Sequence, residues 1–156
     1  MRRKEKQLTD QQIINEVLNS AEICHISILD EDAPYTIAVN YAYEDGKIYI
    51  HSAKKGRKIE LLQKHPKVCF NVVGYHSVAS AEKACDWTAK YRSIIGYGNV
   101  SVVLDDEEIT RKGLDLIMKK YGAEGKQEYG KHAVMATAML VLDIDKMDAK
   151  QSGDWE

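Results

Sequence analysis

Residues 35 to 52 constrain this chain more than any other stretch. Tyr35, Ile37, Val39, Tyr41 and Tyr43 alternate with Thr36, Ala38, Asn40 and Ala42, Glu44-Asp45-Gly46 interrupts, and alternation resumes from Lys47 to Ser52. A period of two is that of a β-strand, and Asp-Gly between two such runs is a strong hairpin signal. The chain is thereby committed to antiparallel pairing. A doubly wound parallel sheet, which needs a helix between successive strands, is a poor fit.

The remaining strands follow the same logic. Ile23 to Leu29 sets Cys24, Ile26 and Ile28 on one face and ends in the turn Asp30-Glu31-Asp32-Ala33-Pro34. Val68, Phe70 and Val72 mark a strand reaching Tyr75, and a longer one runs from Tyr91 to Leu104, where Gly96 and Gly98 signal a bulge or a close backbone approach. The last strand is expected over Ala133 to Asp145, followed by a tail that is polar apart from Met147 and Trp155.

Helices are expected at three places. Ile13, Ile14, Val17 and Leu18 recur at helical spacing between Thr9 and Ala21, with Thr9 and Gln12 placed as a capping box. A short helix follows residue 56 and stops at His65-Pro66, because the residue before proline is pushed out of the α region. Asp105 and Glu108 open a third, to Tyr121, burying Leu114, Ile117, Met118 and Tyr121. Gly122 to His132 reads as a polar loop, and His76 to Lys90 shows no clean period. The fold class is mainly β, α+β by content. It is a six-stranded antiparallel barrel with flanking helices, in a single domain spanning 1–156.

Charge narrows the partners. A net charge of −2 provides no global basic field, so nucleic-acid binding is disfavoured and any anion site is local. The basic start Met1-Arg2-Arg3 leads into no apolar segment, and no run of ~18 apolar residues occurs, so a cytoplasmic, membrane-free protein is expected. Cys24, Cys69 and Cys85 form no even disulfide framework and suit a reducing compartment. Cys24 and His25 point to opposite faces of one strand and make a poor metal pair, so no metal is expected.

One local anion site stands out. Tyr49-Ile50-His51-Ser52-Ala53 runs straight into Lys54-Lys55-Gly56-Arg57-Lys58 at the start of a helix. The first N–H groups of a helix lack internal partners and its dipole favours an anion, while arginine adds a fork and lysine a point charge. The competing reading is a solvated loop, with Tyr41 and Tyr49 as cross-strand packing and His51 as an ordinary strand histidine. Lys54 in particular is expected to be a surface residue.

Asn40-Tyr41, the Asp45-Gly46 turn, Tyr49 to Ala53, Lys55-Gly56-Arg57-Lys58, His65-Pro66-x-Val68-Cys69-Phe70 and Tyr91-x-Ser93-Ile94-Ile95-Gly96-x-Gly98 occur together in this order. The set resembles the pyridoxamine 5′-phosphate oxidase-like flavin-binding split barrels, and most closely the Nim type associated with 5-nitroimidazole resistance. The resemblance implies a six-stranded split β-barrel that forms a homodimer with FMN in clefts at the interface. By the same resemblance Arg57 and Lys58 grip the phosphate beside Lys55 and Gly56. His51, Ser52 and Ala53 run beside the ring, Asn40 and Tyr41 lie near it, and Arg92 and Ser93 reach the cofactor, from the partner subunit if not from their own. The tail from Lys146 to Glu156 contains no arginine, so it departs from the oxidase proper and argues against vitamin B6 oxidation.

The implied activity is FMN-dependent reduction of nitro compounds. His51 is the candidate catalytic residue for contacting substrate or donating a proton, since imidazole titrates near neutrality. Two alternatives remain: a non-catalytic flavin carrier or sensor, and a split barrel that holds haem.

Overall fold

The computed structural model describes residues 4–153 and residue 155; Met1-Arg2-Arg3, Asp154 and Glu156 lie outside the described residues. In chain order the elements are β1 (Gln7–Leu8), α1 (Gln11–Ser20), β2 (Cys24–Ile28), β3 (Tyr35–Val39), β4 (Ala42–Glu44), β5 (Lys47–Ala53), α2 (Arg57–Lys64), β6 (Lys67–Ala79), β7 (Thr88–Val103), α3 (Glu107–Lys120), α4 (Lys131–Ala136) and β8 (Thr137–Ser152). Every pairing is antiparallel, the strand order is β3-β2-β6-β7-β8-β5-β4, and β1 adds to β8. The sheet curls into a barrel that does not close: it is the expected mainly-β split barrel with flanking helices.

Its interior is the inward face of the alternating strands. Ile26, Ile28, Ile48, Ile50, Phe70, Val72, Ile94, Leu140 and Leu142 form one buried cluster, joined by Ile14, Val17 and Leu18 of α1 and Ile59 and Leu62 of α2. Burying each such side chain contributes about 1.5–3 kcal/mol. Outside the barrel a smaller cluster of Tyr49, Met139 and Val141 is covered by Leu114 and Leu116 of α3. Helix α3 comes this close because Gly113 lies over Met139, where a Cβ would stand 2.5 Å from the sulfur.

Several boundaries differ from the sequence expectation. The strand from Tyr35 to Tyr43 is broken at Asn40-Tyr41, because Val39 still pairs with Cys24 of β2 whereas Ala42 already pairs with Tyr49 of β5. That break, with the two-residue β1, turns six strand regions into eight strands. The unreadable stretch 76–90 comprises the end of β6, the start of β7 and the connection between them, exposed along most of its length and so without an apolar period. The polar tail through residue 152 is strand as well, paired with β7 on one side and, near its end, with β1 on the other. Residues 131–136 form a helix too short for a periodic signal, with Val134 its one buried residue.

Both capping assignments shift by one residue. Asp10, not Thr9, caps α1, accepting from the N–H groups of Gln12 at 2.8 Å and Ile13 at 3.3 Å. Asp106, not Asp105, caps α3 by accepting from the Ile109 N–H at 2.9 Å. Asp10→Ala should therefore cost about 1 kcal/mol in chemical denaturation while Thr9→Ala changes stability by only a few tenths. Equal losses at the two positions would contradict this cap.

Candidate functional site

Strand β5 pairs with β8 from Lys47 to Ala53, but with β4 only from Lys47 to Tyr49. Residues Ile50 to Ala53 thus present one edge with no strand partner among the described residues. Strand β3, hydrogen-bonded among the described strands only to β2, is the lip on the other side. Asn40 and Tyr41 sit where the chain crosses from one lip to the other, and residues 54–58 continue from the end of β5. Along the free edge the side chains alternate: Ile50 is buried and Ser52 half-buried, while His51 and Ala53 are exposed.

At the end of that edge Gly56 caps α2 with φ 116° and ψ 170°, a conformation that favours glycine, although a Cβ would meet nothing within 4 Å. Its carbonyl accepts from Ile59 at 2.9 Å and Glu60 at 3.2 Å. The N–H groups of Arg57 and Lys58 precede these and have no intrahelical acceptor, and no side chain caps the helix. Lys58 is half-buried, and burial pulls its amine below the ordinary lysine value. Among the described ion pairs it has no carboxylate. Desolvating a cation without a counterion is unfavourable, so this lysine stands ready for an anion.

Arg57 is held differently. Its Nε and one terminal nitrogen donate to the same oxygen of Asp30, at 3.1 and 2.5 Å, and its guanidinium lies 5.0 Å from the centre of the Tyr35 ring. The Arg57 fork, with the Glu31 N–H at 2.8 Å, holds the Asp30 carboxyl below the usual carboxylate range. A guanidinium has five N–H donors, so this anchorage leaves some for another anion. Lys55 is exposed. Lys54 is not the surface residue expected: its side chain is 27% exposed, pairs with Asp105 at 3.0 Å and lines a cavity of about 270 Å³ with Leu104, Thr110, Val134 and Met135.

Not every sequence-derived candidate gathers here. Tyr41 is fully buried: its hydroxyl donates to the Leu18 carbonyl at 2.6 Å and its ring packs beneath Lys120. Its side chain is therefore a core element, and the burial pushes the phenol well above its ordinary value. Arg92 and Ser93 pair with Gln151 and Lys150, whereas β5 pairs with residues 137–143 of the same strand, so a single chain does not bring them to the basic turn. Arg92 instead stacks at 3.8 Å on the Trp155 ring, and its Nε is buried without a hydrogen-bond partner among the described residues. Sequence reasoning missed Asp30 and Tyr35, which orient Arg57. Asp30 read as a turn residue, and nothing local links it to a position 27 residues away.

The pyridoxamine 5′-phosphate oxidase family model matches residues 10–151. Among solved structures, a candidate 5-nitroimidazole antibiotic resistance protein of Bacteroides thetaiotaomicron aligns with 29% identity and a TM-score of 0.82, over 93% of this chain and 86% of that one. The FAD- and haem-binding protein of Mycobacterium smegmatis aligns with a TM-score of 0.84 at 18% identity, over 96% of this chain and 75% of that one. For the flavocytochrome Anf3 of Azotobacter vinelandii the TM-score is 0.82 at 20% identity, over 99% and 72%. At those two identities the likeness is one of fold. No curated protein matches the chain by sequence.

Proposed function

Because the chain belongs to the pyridoxamine 5′-phosphate oxidase family, we propose that the opening between β3 and β5 holds FMN and that the protein reduces nitro compounds. The observation that carries this reading is the edge Ile50–Ala53, without a strand partner among the described residues, running directly into a helix start beside a half-buried Lys58 that has no carboxylate among the described ion pairs. A ligand with a phosphate at one end and a flat, hydrogen-bonding ring at the other fits that sequence of features. Lys58, the remaining Arg57 donors and the first N–H groups of α2 would hold the phosphate, with Lys55 and Gly56 beside them. Backbone groups of His51, Ser52 and Ala53 and the exposed amide of Asn40 would meet the ring's polar rim. When bound, FMN supplies the electron transfer.

The nitro acceptor is favoured by the likeness to the Bacteroides protein. His51 is exposed at the rim of the opening, where it can hold a proton for an acceptor group. His51→Ala should keep its cofactor and reduce a 5-nitroimidazole roughly a hundredfold more slowly in single-turnover assays with the pre-reduced protein. An unchanged rate would remove His51 from the chemistry. The exposed apolar residues Val73, Tyr75, Ile95 and Tyr97 of β6 and β7 suit burial against a second copy, in a cytoplasmic homodimer.

The absorption spectrum and released chromophore of the purified protein test the cofactor. Paired blue bands and recovery of FMN are expected. A Soret band, or FAD in place of FMN, would overturn the assignment, and bound FMN reduced once without turnover would mark a carrier rather than an enzyme.

A further inference from the structure

A second chemically distinctive place lies away from the opening, where the end of α3 meets α1 and β4. Lys120 turns inward over the core. Its Nζ stands 3.1 Å from the centre of the Tyr41 ring and donates at 3.3 Å to the Leu18 carbonyl, an acceptor already taken by the Tyr41 hydroxyl at 2.6 Å. Beside it is a cavity of about 260 Å³ lined by Asn19, Ala42, Tyr43, Glu44, Leu116, Lys119 and Lys120. Glu44, the acid on that wall, is engaged by Lys112 at 2.7 Å, and among the described ion pairs Lys120 has none.

The groups facing Lys120 are few. Cys24 lies on β2 and Glu22 just before it, Tyr41 lies beneath, and Tyr121 follows in the chain with its ring centre 5.8 Å away. The Tyr121 hydroxyl donates to the Glu22 carbonyl and accepts the Tyr41 N–H at 3.3 Å, which locks this corner. Burial pulls the Lys120 amine down to about 8, against weaker opposing influences of Cys24 and Glu22. The ring face and the shared carbonyl favour the ammonium form, and desolvation opposes it.

We propose that Lys120 is a nucleophilic amine and that the adjoining cavity admits a small aldehyde, which the amine captures as an imine. The cavity walls carry both signs of charge, in Lys119 and Glu44, and apolar surface from Ala42 and Leu116, which suits a small neutral electrophile. In the step itself the nitrogen lone pair attacks the carbonyl carbon, a proton passes from nitrogen to oxygen, and loss of water leaves the C=N bond. No electron is gained or lost, and the capture is reversible. The proposal is independent of the flavin reading.

Lys119 is the internal control, because it lines the same cavity but is exposed. The full chain is treated with acetaldehyde and cyanoborohydride near neutral pH, and ethylated lysines are quantified by peptide mass spectrometry. An amine at about 8 rather than 10.5 is about three hundredfold more deprotonated at neutral pH. Allowing for the lower nucleophilicity of a weaker base, Lys120 should react about tenfold faster than Lys119. Its rate should level off above about pH 8, and both Lys120→Met and Lys120→Arg should abolish the fast phase; the arginine keeps a cation over Tyr41 if the methionine perturbs folding. Equal labelling of Lys119 and Lys120, or a fast phase that survives in Lys120→Arg, would overturn the proposal.

Discussion

Replacing Arg57 and Lys58 together by alanine should raise the dissociation constant for FMN about a thousandfold, while affinity for riboflavin, which lacks the phosphate, changes little. Each charge-assisted hydrogen bond is worth about 1.5–3 kcal/mol, and about 1.4 kcal/mol is a factor of ten in affinity. The single variants should differ in kind. Lys58→Ala removes a half-buried cation with no other partner among the described ion pairs. Arg57→Ala also releases the Asp30 carboxylate, which then repels the phosphate, so Asp30→Asn should partly rescue it. Since Arg57 lowers the Asp30 carboxyl, their pairing is intact above the ordinary carboxylate range and fails only as pH falls through that depressed value. The Asp30–Arg57 pair should therefore add no pH dependence to FMN affinity between about pH 5 and 8. The measurement is titration of the apoprotein by quenching of flavin fluorescence. A double variant that binds FMN like the wild type would place the phosphate elsewhere.

What could be read from the sequence divides along physical range. The hairpin around Asp45-Gly46 and the basic start of α2 are written in adjacent residues, and both appear where the alternation and the charge run put them. The opening itself could not be read, since it depends on β4 releasing β5 after Tyr49, a matter of how far two strands run together. Tyr41 was ambiguous for a related reason. Period two gives a face but not whether that face looks into the core or a cleft, and its burial depends on Leu18, 23 residues earlier. The end of β6 lacked a signal because a strand exposed on both faces carries no apolar alternation, and the end of β8 because the residues it buries, Ala149 and Ser152, are small or polar.

The glycines of β7 were legible as a point of close approach, and the structure shows why a side chain fails there. Between Tyr97 and Gly98 the register against β8 slips from Lys146 to Ile144, leaving Asp145 as an extra residue held by the Asn99 amide at 3.1 and 3.3 Å. The bulge drives the Asp143 carbonyl towards Gly98, so that an added Cβ would stand 2.1 Å from its oxygen and 2.7 Å from a Leu142 methyl. The oxygen belongs to the backbone of a strand pinned on its other side by β5, and Leu142 is fully buried, so neither can yield cheaply. Gly98→Ala should therefore cost about 3 kcal/mol or more and lower the melting temperature by roughly 10 °C. Gly96→Ala, whose Cβ would meet the buried Phe70 ring at 2.4 Å, belongs to the same class. Gly130→Ala is the control: with φ −60° and nothing within 4 Å of its Cβ, it should be neutral or slightly stabilising. Because the bulge lies where β8 leaves β5 and continues towards β1, relief of the clash must separate β7 from β8 or shift the β5 edge. Gly98→Ala should thus weaken ligand binding at the opening together with stability. A Gly98→Ala protein as stable as the wild type would mean that β7 and β8 do not pack at this distance.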